Sequence, residues 1–266
     1  QTCALPIFYF AAQKFKVASN PLADKIAALL PQANCGACGK AGCQDFANAC
    51  VNADAEAFAH LYCPVGGSKV MNEVAKRLGY STPEHEPTVA VLHCNGTCEN
   101  APDKVEYIGL QSCRLANRAF VGKTGCPNGC LRLGDCVRNC PFGAIEMDDL
   151  TGLPRVNPDK CTSCGACVRI CPRGLYEIRP RGKNGVMVYV ACSNKQKGAT
   201  ARKNCKAACI ACMKCTKICP EVTVEENLSR IPPSVSAKLY GAELAAGCPT
   251  GAIVYTGAKG DKNEQN

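Results

Sequence analysis

The sequence predicts an α+β protein, a small helical domain followed by two similar units that are each built from two short helix–strand halves. Three observations carry the prediction. Residues 20–80 place apolar side chains at helical spacing between capping and stop signals. From about Thr88 the dipeptide Cys-Pro recurs before a short apolar strand: CPFGAIEM from Cys140, CPRGLYEI from Cys171, CPEVTVEE from Cys219 and CPTGAIVY from Cys248. These repeats lie 31, 48 and 29 residues apart, which groups them as two pairs. Finally, 24 of the 266 residues are cysteine, mostly in runs with two or three residues between them.

In the helical domain, Asn20 suits an N-cap and Pro21 the first helical position. Leu22, Ile26, Leu29 and Leu30 follow on one face, and Pro31 stops the helix before the first cysteine run. A second helix is expected after Cys43, and a third over Gly67–Leu78 with Val70, Val74 and Leu78 inward. Residues 81–87 (STPEHEP) read as a polar linker. At the N-terminus, Phe8–Ala12 is apolar and followed by QKFK, like the cytoplasmic end of a membrane helix but too short to span. Gln1–Ile7 (QTCALPI) matches the translated end of a common sequencing adapter, so it is read as an assembly scar with the native helix lost upstream and no role for Cys3.

Cysteines two or three residues apart can close on one metal centre but make poor disulfide partners, so the chain reads as reduced and metal-loaded. A fibre, a disordered tail and a collagen are excluded by 47% hydrophobic content without a short period. The run Cys161-x2-Cys164-x2-Cys167-x3-Cys171-Pro has the spacing of bacterial two-cluster ferredoxins, in which the fourth cysteine ligates the other cluster. A zinc ribbon would pair two separated CxxC units instead. The fold class is therefore a small helical [4Fe–4S] domain followed by two ferredoxin-like units, one with a degenerate half.

Counting back from Cys140 puts ligands at Cys136, position 133 and Cys130, but Leu133 occupies the middle one. Cys126 stands four residues before Cys130 and can supply the missing thiolate. One cluster is expected on Cys126, Cys130, Cys136 and Cys171, and another on Cys161, Cys164, Cys167 and Cys140. Counting back from Cys248 finds Lys238, Gly241 and Leu244 where three thiolates should stand, so one cluster of the second pair is lost. The survivor is expected on Cys209, Cys212, Cys215 and Cys248, leaving Cys219 without a role; local closure on Cys219 is the alternative. A helix over about Ser234–Ala246 is expected to refill the vacated space, with Leu239 or Leu244 near it. In the N-terminal domain CGACGKAGC supplies Cys35, Cys38 and Cys43, with Cys63 as fourth ligand and Cys50 read as a buried apolar residue.

Cys94, Cys98, Cys113, Cys192 and Cys205 remain open. Cys94, Cys98 and Cys113 could hold a fifth cluster with Cys192 or Cys205, or all five could be structural thiols. Cys113 and Cys126, and again Cys192 and Cys205, have twelve residues between them. His60, His85 and His93 read as surface or core residues. No phosphate-binding glycine loop, flavin motif or catalytic triad is found, so no catalytic residue is expected. The formal charge of +9 by itself points to an acidic partner or nucleic acid. Four thiolate-held [4Fe–4S] centres at about −2 each would cancel most of it, so no nucleic-acid partner is expected. The basic residues Arg169, Arg173, Lys195, Lys197, Arg202, Lys203 and Lys206 are candidates for docking an acidic electron donor.

The order of these motifs, from the apolar-to-KFKV start through CGACGKAGC with Cys63-Pro, CNG at Cys94, GDCVRNCPFGAI and KCTSCGACVRICP, resembles the RnfB family in its longer form with extra ferredoxin repeats. These are iron–sulfur subunits of Rnf electron-transport complexes. The resemblance covers Phe8 to Tyr255. It implies a membrane-anchored subunit on the cytoplasmic face of the bacterial inner membrane. Electrons would come from reduced ferredoxin and pass to other Rnf subunits, including the NAD-binding one, in a ferredoxin:NAD oxidoreductase that moves Na+ or H+. The chain would be an enzyme only as part of that complex. The expected layout is 1–19 scar and stub, 20–80 N-terminal cluster domain, 81–125 linker and Cys-containing segment, 126–182 two-cluster unit, 183–256 degenerate unit and 257–266 polar tail. Two other readings stand beside it. A soluble polyferredoxin carrier would differ only in lacking the stub. The iron–sulfur domain of a corrinoid or carbon monoxide complex, which residues 30–80 also resemble, should continue into a large α/β barrel.

Overall fold

The computed structural model describes residues 20–82, 85–182 and 185–257. The readings of Gln1–Ile7, Cys3 and the apolar stub lie outside the described residues. The chain divides into two compact units, 1–84 and 85–266.

The first unit is helical: α1 (Pro21–Ala27), α2 (Cys43–Asn52), α3 (Ala55–Ala59) and α4 (Gly67–Leu78). Asn20 caps α1 by accepting the Leu22 N–H at 3.0 Å. The buried stripe is Ala23, Ile26, Ala27 and Leu30, and Leu22, expected inward, is exposed. Small Ala23 fills the position one turn before Ile26, so α1 sits close to its neighbours and the bulkier Leu22 turns outward. Regular helix also ends at Ala27, ahead of Pro31. In α4 the buried residues are Met71, Val74 and Ala75, while Val70 and Leu78 pack at the margin. Gly79 ends α4 with φ +75, a conformation glycine takes without strain. The five-residue α3 is too short to show a period in the sequence; Asp54 caps it by accepting the Ala57 N–H at 2.8 Å. Phe46, Phe58, Met71 and Cys50 close the core of this unit.

Among its described residues the second unit has four two-stranded antiparallel sheets and short helices. β1 (Thr88–Leu92) pairs with β4 (Tyr176–Pro180), and β2 (Ile145–Met147) pairs with β3 (Pro154–Val156). β5 (Val188–Val190) pairs with β8 (Ile253–Tyr255), and β6 (Thr223–Glu225) pairs with β7 (Leu228–Arg230). Each Cys-Pro repeat thus runs into a strand, β2, β4, β6 and β8 in turn. The helices are α5 (Cys113–Ala119), α6 (Asp135–Arg138), α7 (Ala166–Ile170), α8 (Gly198–Asn204), α9 (Lys214–Ile218) and α10 (Ala237–Gly247).

Polar braces join the two halves of this unit. Buried Arg179 on β4 donates to the Ile231 carbonyl at 2.8 Å. His93, just past β1, bonds Glu177 through Nε2 at 2.8 Å and the Val190 carbonyl through Nδ1 at 2.7 Å. His93 is a brace, in keeping with its reading as a structural residue.

Helix α10 fills the degenerate half. Leu244 is fully buried, whereas Leu239 is 68% exposed, so Leu244 is the residue that plugs the core. Gly241 lets α10 approach β8, since a Cβ there would stand 2.4 Å from the Tyr255 ring. Leu244→Ala should destabilise the second unit by about 2–5 kcal/mol through the cavity it leaves, read as a lower anaerobic melting temperature. Leu239→Ala should be within about 0.5 kcal/mol of the parent.

Candidate iron–sulfur cluster sites

Three cysteine loops share one backbone course. Ser163 and Gly165 flank Cys164 with φ +57 and +70, and Ala211 and Met213 flank Cys212 with φ +53 and +58. Arg132 and Gly134 flank Leu133 in the same way, with φ +59 and +74. Alternating left-handed residues turn successive N–H groups into a concavity suited to an anion. The loop with Leu133 has kept this cradle while losing its middle thiol.

The Cys-Pro turns are equally alike. The N–H three residues on donates to each cysteine carbonyl: Gly143 to Cys140 at 3.3 Å, Gly174 to Cys171 at 3.1 Å, Val222 to Cys219 at 3.1 Å and Gly251 to Cys248 at 3.2 Å. The three glycines are left-handed, with φ +58, +58 and +65. Beyond them a backbone N–H turns onto the cysteine sulfur: Ala144 onto Cys140 at 3.2 Å, Leu175 onto Cys171 at 3.5 Å. At Cys248, burial pushes the thiol up, but the N–H and hydroxyl of Thr250 and the N–H groups of Ile253 and Ala252 outweigh it and hold the thiol below its usual value. Val222 replaces the glycine after Cys219 and is not left-handed. Among the described residues no hydrogen bond to the Cys219 sulfur is found, and Cys219 is fully buried in the apolar core.

Cys209, Cys212, Cys215 and Cys248 line one small cavity of about 20 Å3. The Ser229 hydroxyl lies 3.2 Å from the Cys215 sulfur. A second cavity, also of about 20 Å3, is lined by Cys113, Cys130, Cys136 and Cys171. The Tyr176 hydroxyl donates to Cys136 at 3.4 Å and the Arg132 N–H to Cys130 at 3.4 Å. Cys126, grouped by sequence with Cys130, Cys136 and Cys171, is not on this wall; Cys113 is. The physical reason is Asp135, buried in the loop, which accepts the Arg114 N–H at 3.0 Å and the Ser112 hydroxyl at 3.3 Å. These bonds tie the start of α5, and with it Cys113, to the loop that lacks a middle thiol. Burial opposes ionisation of Asp135, but the Arg114 and Cys113 N–H groups and the Arg138 guanidinium hold its carboxyl below the usual range.

The other two thiol sets are also gathered. Burial, with Cys161 and Cys164 close by, pushes the Cys167 thiol up to about 12, and Cys140 packs in the same core. In the first unit, Cys63 is raised by burial and by nearby Cys38 and Cys35, against an opposing N–H bond from Gly66 at 3.4 Å. Cys43 packs beside them, held by its N–H to Asn34 Oδ1 at 2.8 Å. A Cβ at Gly42 would stand 2.9 Å from that oxygen, so a side chain there would have to push the Asn34 amide aside. Cys50 is fully buried and its thiol is pushed up to about 12, chiefly by burial, which fits its apolar reading. Burial disfavours a bare thiolate, so these sulfurs ionise where a cation takes the proton's place. Among the described residues no three Cys, His, Asp or Glu side chains converge as ligands of a single ion do. In a cubane each thiolate holds a different iron, so its ligands ring a volume.

Of the remaining cysteines, Cys98 is exposed and lies 3.7 Å from the Arg132 guanidinium, whereas Cys94, Cys192 and Cys205 line a further cavity with Cys126. The expected trio of Cys94, Cys98 and Cys113 is therefore spread over three places. Arg173, expected on a docking surface, instead donates to the carbonyls of Cys126, Gly129 and Val121 and to Asn117. Its long stem lets it cap loop carbonyls that sequence does not place beside it.

These features define a class: a multi-site iron–sulfur protein built for electron transfer. Family models agree along the chain. A 4Fe-4S dicluster domain matches residues 124–175, a 4Fe-4S binding domain residues 206–225 and a putative Fe-S cluster model residues 30–58. Among curated relatives, the B component of the proton-translocating ferredoxin:NAD(+) oxidoreductase complex of Clostridium ljungdahlii is 39% identical, across 93% of this chain and 86% of its own. The B component of the ion-translocating oxidoreductase complex of Methanosarcina acetivorans is 38% identical, across 91% of this chain and 89% of its own. Its counterpart in the Na(+)-translocating ferredoxin:NAD(+) oxidoreductase complex of Acetobacterium woodii is 41% identical, across 91% and 71%. The chain belongs to this family, the RnfB components of ion-translocating oxidoreductase complexes.

Cys248→Ser should cost one cluster, about four iron per chain, while Cys219→Ser should leave iron unchanged. Iron and acid-labile sulfide assays on anaerobic protein read both; iron loss from Cys219→Ser alone would show that the loop closes locally.

Proposed function

We propose that this chain is the electron-relay subunit of a membrane-bound ferredoxin:NAD oxidoreductase that couples electron flow to Na+ or H+ movement. The observation that carries the reading is the succession of four-thiol sites along one chain of this family. The cysteines named above would hold [4Fe–4S] clusters, which supply one-electron chemistry when bound. The protein's part is to bury the sulfurs, aim N–H and hydroxyl donors at them, and exclude water. Such hydrogen bonds delocalise charge from sulfur and raise the reduction potential. The relatives are named for different coupling ions, and the ion is carried by other subunits in this reading.

Reduced ferredoxin is the proposed donor, and the other Rnf subunits, including the NAD-binding one, the acceptors. The membrane position, on the cytoplasmic face of the bacterial inner membrane, would come through the complex and the segment before residue 20. Among the described residues no helix is long and apolar enough to cross a bilayer. Lys197, Arg202, Lys203 and Lys206 are exposed around α8 and next to Cys205, a suitable landing surface for an acidic donor. Lys195 is exposed too but pairs with Glu226 at 2.5 Å.

Lys203→Gln with Lys206→Gln should slow reduction by ferredoxin roughly 3- to 10-fold at low salt. The gap should close toward 1 M salt, where the Debye length falls to about 3 Å. Stopped-flow reduction of the anaerobic protein measures this; equal rates at low salt would remove α8 from the docking surface.

A further inference from the structure

We propose that Cys94, Cys126, Cys192 and Cys205 hold a fifth [4Fe–4S] cluster, which bridges the two ferredoxin-like halves of the second unit. The four thiols line one cavity of about 20 Å3, the same size as the two neighbouring cysteine-lined cavities. Cys130 also borders the cavity, and the other walls are small or polar, among them Gly96, Ala101, Ala191, Ala207, Thr124 and Asn194. Gly96 sits against two of the thiols: a Cβ there would be in van der Waals contact with the Cys94 sulfur at 3.4 Å and the Cys205 sulfur at 3.9 Å.

Donors converge on these sulfurs as they do at the other sites. Cys94 receives the Cys130 N–H at 3.4 Å, and Cys192 receives the N–H groups of Asn194 at 3.5 Å and Cys209 at 3.4 Å. The Asn194 side chain, 1% exposed, donates to the Cys126 sulfur at 3.5 Å and to Gln196 Oε1 at 3.3 Å. A hydrogen bond from a buried amide to sulfur is stronger where that sulfur carries charge. The Arg132 guanidinium, ion-paired with Asp103 at 2.8 Å, braces the wall of the cavity by donating to the Gly96 and Ala101 carbonyls, and its Nε has no hydrogen-bond partner.

The position gives the site its role. Cys130, a wall of the Cys113 set, donates its N–H to Cys94; Cys209, of the Cys248 set, donates its N–H to Cys192. A cluster here has one neighbouring set on each side through single hydrogen bonds. One electron enters from one side and one leaves to the other, with no bond made or broken. Without it the electron path between the two halves has a gap.

The inference rests on the iron–sulfur reading and not on the identity of the donor. The anaerobic full chain should contain about 20 iron and 20 acid-labile sulfide, where four clusters would give about 16 of each. Cys192→Ser and Cys126→Ser should each lose about a fifth of the iron, and Cys98→Ser none. A parent protein with about 16 iron overturns the fifth site even where a variant fails to fold, as does unchanged iron in Cys192→Ser. Iron near 16 with normal reduction by ferredoxin removes this site and leaves the relay. Iron near 20 with no reduction by ferredoxin does the reverse.

Discussion

Thiolate ligation is the constraint on which the second unit depends. Its four sheets are two-stranded, and three of them are three residues long. Ladders of that size are at best marginal alone. The apolar core between them is small, and cysteines make up much of it. Iron bound at several points of the chain supplies the cross-links that a larger core would otherwise provide. The first unit differs, because Phe46, Phe58, Ile26 and Met71 form a helical core around its single thiol set.

The backbone is shaped to the same end. Non-glycine residues such as Ser163, Ala211 and Met213 sit in left-handed conformations that cost energy in isolation. The cost is concentrated where N–H groups must face an anion. The guanidinium groups follow the same logic: Arg132 and Arg173 each donate to loop carbonyls, which fixes the loops and brings positive charge near sulfur. With five clusters at about −2 each, the formal charge of +9 is more than offset, so the exposed lysines act as a local patch and not as part of a uniformly basic surface.

Much of this is legible in the sequence because it is local. The Cys-Pro repeat announces four strands, and a two-residue step between cysteines announces a loop that wraps a cubane. The helix refilling the degenerate half also announces itself, through Pro232, Pro233 and the spacing that follows. What stays hidden is non-local. Along the chain Cys126 is the nearer candidate for the missing thiolate, and only Asp135, holding the start of α5, brings Cys113 there instead. Ala23 on α1 escapes notice because a search for large apolar residues passes over alanine. One local signal is available beyond the cysteine spacing. A glycine three residues after the cysteine of Cys-Pro accompanies an N–H bond to sulfur, and Val222 breaks the pattern at Cys219.

The four thiols of the bridging site are contributed by residues 94, 126, 192 and 205, so more than 100 residues separate the first from the last. Synthesis at about 5–20 residues per second leaves Cys94 without its most distant partner for on the order of 5–20 s. During that interval the other ferredoxin-type sites can begin to fill, since Cys113 to Cys171 are complete before Cys192 emerges. The bridge closes later, and until then Cys94 and Cys126 are open to oxidation along the thiol ladder. Assembly of this wire is thus most sensitive to oxygen at its middle, before it has carried an electron.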